Sequence, residues 1–314
     1  MNETRRKLLA AFAEGPATGP ALADELGVSR AAVWKQVEAL RNEGFEIEST
    51  PEGYAITVVP AYGAAAIEYE LAAPYTVEYH ESIGSTNDRA RELAGDGQRN
   101  IVVVADEQTG GRGRLARSWA SPPGGIWASA VLDPSLPAAH VPLVTLAAGV
   151  AVVDACRSVG VDATLKWPND VLVGDDTDTD RGGTKLAGIL TEMEGEADRV
   201  SWLLVGIGLN AAIDADTLPA GATSLTEQVG DVDRRGVLQT ILGSLSTLME
   251  NPETIIARWR ENSSTLGRRV RVDTGRGQIQ GRAVDVQFPG ALVVDTDTGE
   301  KVIHAGDCEH LRPA

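Results

Sequence analysis

Gly110-Gly111-Arg112-Gly113-Arg114-Leu115-Ala116-Arg117-Ser118-Trp119 puts three guanidinium groups within six positions, spaced by glycine. Glycine lets a backbone approach its ligand closely, and guanidinium groups pair with the oxygens of phosphate and carboxylate. The run therefore reads as a clamp for an anion with several oxygens. Trp119 closes it with a flat aromatic face on which a nucleobase stacks. An adenylate site is the reading that uses all four side chains.

The flanks decide whether such a loop is ordered. Ile101-Val-Val-Val-Ala105 precedes it and Gly125-Ile-Trp-Ala-Ser-Ala-Val-Leu132 follows, two short apolar strands, so the run is a loop between buried strands and not a disordered basic tail. A dinucleotide fingerprint is the nearest decoy, since Gly111-x-Gly113-x-x-Ala116 follows a strand and Asp133 stands near the acidic position. That motif must open a helix, and Ser121-Pro122-Pro123-Gly124-Gly125 leaves no room for one. NAD is not expected.

The chain has 314 residues, 43% of them hydrophobic, enough for two or three domains with packed cores. We find no apolar run of membrane-span length and no signal peptide at the N-terminus, which points to the cytoplasm and away from membranes. Cys156 and Cys308 have no close partner, and His80, His140, His304 and His310 show no metal-ligand spacing, so neither zinc nor a disulfide is expected. A net charge of −17, with 5 lysines against 23 arginines, is the bias of proteins that work in concentrated salt and suggests a halophile. Screening at molar salt leaves short-range, desolvated contacts to decide binding.

Residues 1–62 form a separate pattern. A helix around Thr4 to Ala13 turns Leu8, Leu9 and Phe12 inward, and a short helix from Pro20 ends at Gly27. Ser29 caps a third helix carrying Val33, Val37 and Leu40, after which Phe45-Glu-Ile-Glu and Gly53-Tyr-Ala-Ile-Thr-Val make a hairpin. Three helices and a hairpin resemble a winged helix-turn-helix domain, in which Ser29, Arg30, Lys35 and Gln36 would face operator DNA. A winged helix serving protein contact stays open. Residues 1–60 hold six basic and nine acidic side chains, but 29–41 hold three basic and one acidic. Strands and helices alternate through residues 63–266, an α/β domain with a mixed sheet. Residues 267–314 return to short strands parted by turns, which fits a small SH3-like β-barrel.

Four further segments of the central domain would expose polar groups to a ligand: Gly84-Ser-Thr-Asn87, Lys166-Trp-Pro-Asn-Asp170, Lys185-Leu-Ala-Gly-Ile-Leu190 and Gly206-Ile-Gly-Leu-Asn210. With Gln108 to Trp119 among them, all five motifs in this order resemble the biotin protein ligases, and the N-terminal domain makes the likeness closest to the bifunctional ligase-repressor type. The resemblance covers essentially the whole chain. It implies condensation of biotin and ATP to biotinyl-AMP, transfer of biotin to a lysine of a biotin carboxyl carrier domain, and a homodimer linked to ligand.

The resemblance also implies roles. Ser85, Thr86 and Gln108 would bond the ureido ring of biotin, with Asn87 and Gly188 beside them. Arg112, Gly113 and Arg114 would close over its carboxylate and the adenylate phosphate. Trp119 would stack on adenine and Arg117 steady the loop or a phosphate. Lys185 would neutralise charge at the reacting carboxylate and α-phosphate, making Lys185, Arg112 and Arg114 the catalytic set. Lys166, Asn169 and Asn210 would serve the triphosphate of ATP, and Asp170 its Mg2+.

Two features depart from the family pattern. Ala116 stands where the family usually has glycine, which strains the loop if that position needs a positive φ. Gly174 to Thr184 is a long acidic turn. It is no calcium loop, because Arg181 and Ala187 occupy the positions of the required glycine and glutamate, and it reads as a solvated halophilic insertion. Two other functions fit less well. A lipoate or octanoate ligase would want an apolar pocket in place of Ser85, Thr86 and Gln108, and a sensor-repressor without ligase activity would not need Arg112, Arg114 and Lys185.

Overall fold

The computed structural model describes residues 3–133, 137–174, 182–196 and 199–311. Most of the acidic turn, residues 175–181, lies outside them.

The N-terminal elements are α1 (Glu3–Ala13), α2 (Gly19–Leu26), α3 (Arg30–Asn42), β1 (Glu46–Thr50) and β2 (Gly53–Val58). Local chemistry sets their ends. Thr18 accepts from the Ala21 amide at 3.3 Å to start α2, and Gly27 closes it at φ 65°. Ser29 accepts from the Ala32 amide at 3.2 Å and starts α3, which stops at Asn42, just short of Gly44. Leu8, Leu9, Phe12, Leu22, Val33, Val37 and Leu40 bury one another. The β1–β2 hairpin turns between Thr50 and Gly53.

Helix α4 (Ala64–Glu68) joins this unit to the next, because Ala65 and Ala66 pack in the first core while Ile67 packs in the second. Glu68, at its end, is buried and accepts from the Val77 amide at 2.7 Å. Burial raises its pKa, the Val77 bond opposing. The folded protein therefore holds this proton more tightly than the unfolded chain, and its contribution to stability is lost as pH climbs from about 4 through the raised value. Glu68→Gln keeps the acceptor and removes the titration. Urea unfolding at acid and neutral pH should show the variant gaining on the wild type as pH rises, and a pH-independent difference would contradict this.

The central domain comprises β3 (Thr76–Ile83), α5 (Thr86–Gly95), β4 (Ile101–Gln108), β5 (Ile126–Leu132), α6 (Val141–Ser158), β6 (Ala163–Lys166), β7 (Asp170–Val173), β8 (Thr184–Glu196), β9 (Arg199–Leu209), α7 (Leu225–Val229), α8 (Arg234–Glu250) and α9 (Ile255–Glu261). Its seven strands order as β3-β4-β5-β9-β8-β7-β6, parallel between β3 and β4 and antiparallel elsewhere. The parallel pair is joined by a crossover through α5, and α6 carries the chain from β5 to β6 at the far edge of the sheet.

Alternation along the strands gives the two faces different work. Val102, Val104, Ala128, Ala130, Val205 and Ile207 turn to the face covered by α6 and α8. Val103, Val131 and Leu204 turn to α5. Helix α6 corrects one expectation, since its segment is long and apolar enough by composition to cross a bilayer. Its position between the sheet, α8 and α9 accounts for the apolar surface all round.

The C-terminal strands β10 (Arg269–Thr274), β11 (Gly277–Gln287), β12 (Ala291–Thr296), β13 (Gly299–Ile303) and β14 (Asp307–His310) form a five-stranded antiparallel sheet ordered β13-β12-β11-β10-β14. It is tied to the central domain by Trp167, whose amide donates to Thr265 Oγ1 at 3.0 Å and whose indole donates to the Gly290 carbonyl at 3.0 Å. This anchoring puts the start of β14 over the central sheet's open face.

Candidate active site

Beyond α5 the same sheet face lies under an open cleft of about 1070 Å3. Gly188 of β8 pairs with Gly208 of β9, and Ser129 of β5 pairs with Gly206, so the floor has almost no side chains. Trp119 lies on it. A Cβ built on Gly208 would stand 2.8 Å from the Trp119 indole nitrogen, and one on Gly188 3.2 Å from the ring. The glycines of two motifs are thus explained by an aromatic ring needing bare backbone beneath it. The indole N–H is buried without a partner.

At one end of the cleft the expected pocket residues lock together. Thr86 donates to Gln108 Oε1 from both its amide, at 2.9 Å, and its hydroxyl, at 3.0 Å. Gln108 Nε2 donates to Ser121 Oγ at 3.0 Å, which fixes the amide's orientation. Ser129, fully buried, lies 2.8 Å from Thr86 Oγ1 and 2.6 Å from Asn87 Oδ1. Asn87 in turn donates to Glu192 at 2.6 Å. Ser85 caps α5, accepting from the Asp88 amide at 3.4 Å.

The arginines are held by carboxylates on either side. Arg112 pairs with Asp88, which Arg91 also contacts at 2.7 Å. Burial would raise the Asp88 pKa, but the two guanidinium groups outweigh it and hold the carboxyl below its usual range. Arg114 donates to Asn169 Oδ1 at 3.0 Å and to the Gly306 carbonyl at 2.9 Å, and Arg117 reaches Asp307 at 2.5 Å. Leu115 and Ala116 both have φ 56°, so the alanine does occupy the left-handed region. Each costs about 1 kcal/mol relative to glycine there.

Lys185 Nζ sits 2.6 Å from Asp170 Oδ1 and 5.0 Å from the centre of the Trp119 ring. Asn169 donates to the Ile189 carbonyl at 2.9 Å, and Asn210 to the Thr223 carbonyl at 2.9 Å. Lys166 is buried in the same wall, as is Cys308, whose thiol burial pushes up to about 12. Gly113 lies in the loop that roofs the cleft. All the expected ligand residues therefore line one cavity. Asp170, the expected Mg2+ ligand, is engaged with Lys185, and the described residues hold no group of three His, Cys, Asp or Glu side chains that could bind a metal.

The DNA-facing candidates lie elsewhere, on α3, where Ser29, Arg30 and Lys35 are exposed and Gln36 is half-buried. Reading the sequence missed Ser129, Ser121, Asp88, Glu192 and Asp307. Ser129 had a signal, being the one hydroxyl in an otherwise apolar strand. The others reach the site through pairing and domain packing that no local pattern encodes.

Comparison with known proteins agrees with this arrangement. Residues 79–210 match the biotin/lipoate A/B protein ligase family, residues 4–55 an HTH domain and residues 265–311 the biotin protein ligase C-terminal domain. The chain is 36% identical to the bifunctional ligase/repressor BirA of Bacillus spizizenii over 98% of its own length and 99% of that protein's. It is 35% identical to the biotin–[acetyl-CoA-carboxylase] ligase of Mycobacterium tuberculosis, over 73% of this chain and 86% of the other. The biotin protein ligase from Aquifex aeolicus in complex with biotin and ATP superposes with a TM-score of 0.62 at 29% identity, over 76% of this chain and 99% of that one.

Proposed function

Because the chain belongs to the bifunctional biotin ligase/repressor family, we propose that its cleft joins biotin to ATP and that its residues divide the work as follows. The protein is a biotin protein ligase and a repressor. A biotin carboxylate oxygen attacks the α-phosphorus of ATP and pyrophosphate leaves. The carrier domain's lysine amine then attacks the acyl carbon and AMP leaves. One observation carries the assignment: Thr86 and Gln108, bonded to each other, share one cavity with Trp119, Lys185 and the arginine loop.

Gln108 Oε1 already accepts two bonds from Thr86, so Gln108 meets the ureido ring through its N–H group, while Ser85 and Thr86 supply short hydroxyls. Arg112 and Arg114 leave Asp88 and Gly306 for the carboxylate and phosphate. Lys185 leaves Asp170 to face the charge that grows on the pentavalent phosphorus. Trp119 moves off Gly188 and Gly208 to cover adenine, uncovering the floor for biotin. Arg117, Lys166, Asn169 and Asn210 flank the triphosphate. Asp170 would serve the Mg2+ that belongs to the Mg-ATP substrate, a cation that would offset charge on the triphosphate. We divide the chain near residues 62 and 266, place it in the cytoplasm with its substrates, and take it to dimerise when the adenylate is bound.

The test is transfer of label to a biotin carboxyl carrier domain with Mg-ATP, comparing biotin with lipoate by mass at low and molar KCl. We expect biotin alone to be transferred, with the rate sustained in molar salt as the acidic, lysine-poor composition suggests. Transfer of lipoate would move the assignment to the related ligases, and tight biotin binding without transfer would leave a sensor-repressor.

A further inference from the structure

We propose that the N-terminal domain reads DNA mainly by packing the Trp34 indole on thymine methyl groups in the major groove, with little phosphate neutralisation. The inference rests on the repressor reading and adds how the operator is read. Helix α3 buries Val33, Val37 and Leu40, which turns Arg30, Ala31, Trp34 and Lys35 outward together. Trp34 is 57% exposed in the first half of the helix, where a recognition helix meets base edges. Ala31, one turn back, leaves space beside the ring. A tryptophan with more than half its surface in solvent gains less for the fold than a buried one, and apolar contact is how the methyl that marks thymine is recognised.

Charge identifies the partner and limits how it is held. On the outward face the basic groups are Arg30 and Lys35. Arg41 is spent, bonded to Glu38 at 2.7 Å and to the Ile47 carbonyl at 2.5 Å. The wing that would lie along the DNA backbone carries exposed Glu46, Glu48 and Glu52, and α2 carries exposed Asp24 and Glu25. A second acidic surface would be drawn to the basic pair as DNA is, but only a groove offers the ring a row of methyl groups between phosphates. With Arg30 and Lys35 of α3 supplying the phosphate contacts, the logarithm of affinity should fall with log salt at a slope of only about −2 per domain. Apolar packing does not weaken with salt, so such a reader works where a phosphate-clamping domain would fail.

The test uses the full chain with biotin and Mg-ATP to enrich a random-sequence duplex library, then measures the enriched duplex across a KCl series. We expect Trp34→Ala to bind it at least about tenfold more weakly, as loss of an aromatic anchor does. Replacing a contacted thymine by deoxyuridine should weaken the wild type about fourfold, the worth of one buried methyl, and leave Trp34→Ala unchanged. Biotin transfer by Trp34→Ala should equal the wild type, which establishes that it folds. Equal affinity of the two proteins, equal tolerance of deoxyuridine, or a slope steeper than about −5 per domain would overturn the proposal. So would a variant that loses self-association while keeping its DNA affinity. No enrichment by the wild type would remove the repressor reading itself.

Discussion

Replacing Lys185 by alanine is expected to slow adenylate formation by about 10²-fold or more while leaving the fold intact. Its ammonium is held on two sides, by Asp170 at 2.6 Å and by the face of Trp119 at 5.0 Å, and is 21% exposed. On the proposed assignment, truncation would take a cation from the reacting phosphate and also take from Asp170 its Lys185 partner, leaving a carboxylate that would repel that phosphate. Two effects therefore add in the single variant, and Lys185→Ala with Asp170→Asn separates them. The double variant should recover part of the loss, because the repulsion is gone, but not all of it. Lys185→Arg keeps the charge on a longer, planar group and should fall between. Single-turnover release of pyrophosphate is the readout, since it reports the chemical step apart from transfer. A wild-type rate in Lys185→Ala would end the catalytic assignment.

Lys185 stood out in the sequence only through its place among the five ordered motifs, because a cation flanking an apolar strand does not by itself mark a site. Ser29 as a helix cap and the arginine-glycine loop between two strands were legible locally, since their ends follow from residue chemistry within a few positions. Asp88 and Asp307 were not legible. Each holds an arginine of the loop, one from the first turn of α5 and one from a C-terminal strand 190 residues away, and only the folding of the central domain and the packing of the C-terminal sheet on it bring them there. Ala116 shows the intermediate case. Its substitution for the family's glycine could be seen in advance, but the left-handed φ it adopts depends on how both ends of the loop are held.

Gly206 is where the largest effect on biotin binding follows from backbone alone. A Cβ there would fall 2.2 Å from Asn87 Oδ1, far inside contact distance. Asn87 cannot yield easily, because its two amide atoms are bonded to Ser129 and Glu192, both at 2.6 Å, and its side chain is buried. Gly206→Ala should expel it, leaving Ser129 and Glu192 without that partner at a cost of about 2–4 kcal/mol. Ser129 also contacts Thr86, and Thr86 sets Gln108, so the displacement passes directly to the wall that would hold the ureido ring. We expect the KM for biotin to rise at least about tenfold with the KM for ATP little changed, a loss of uniform binding at one end of the cleft. Asn87→Ala removes the clashing atoms, so the two substitutions should cost less together than the sum of each alone. Strict additivity in urea unfolding, or an unchanged KM for biotin in Gly206→Ala, would show that the Asn87 network does not shape the pocket.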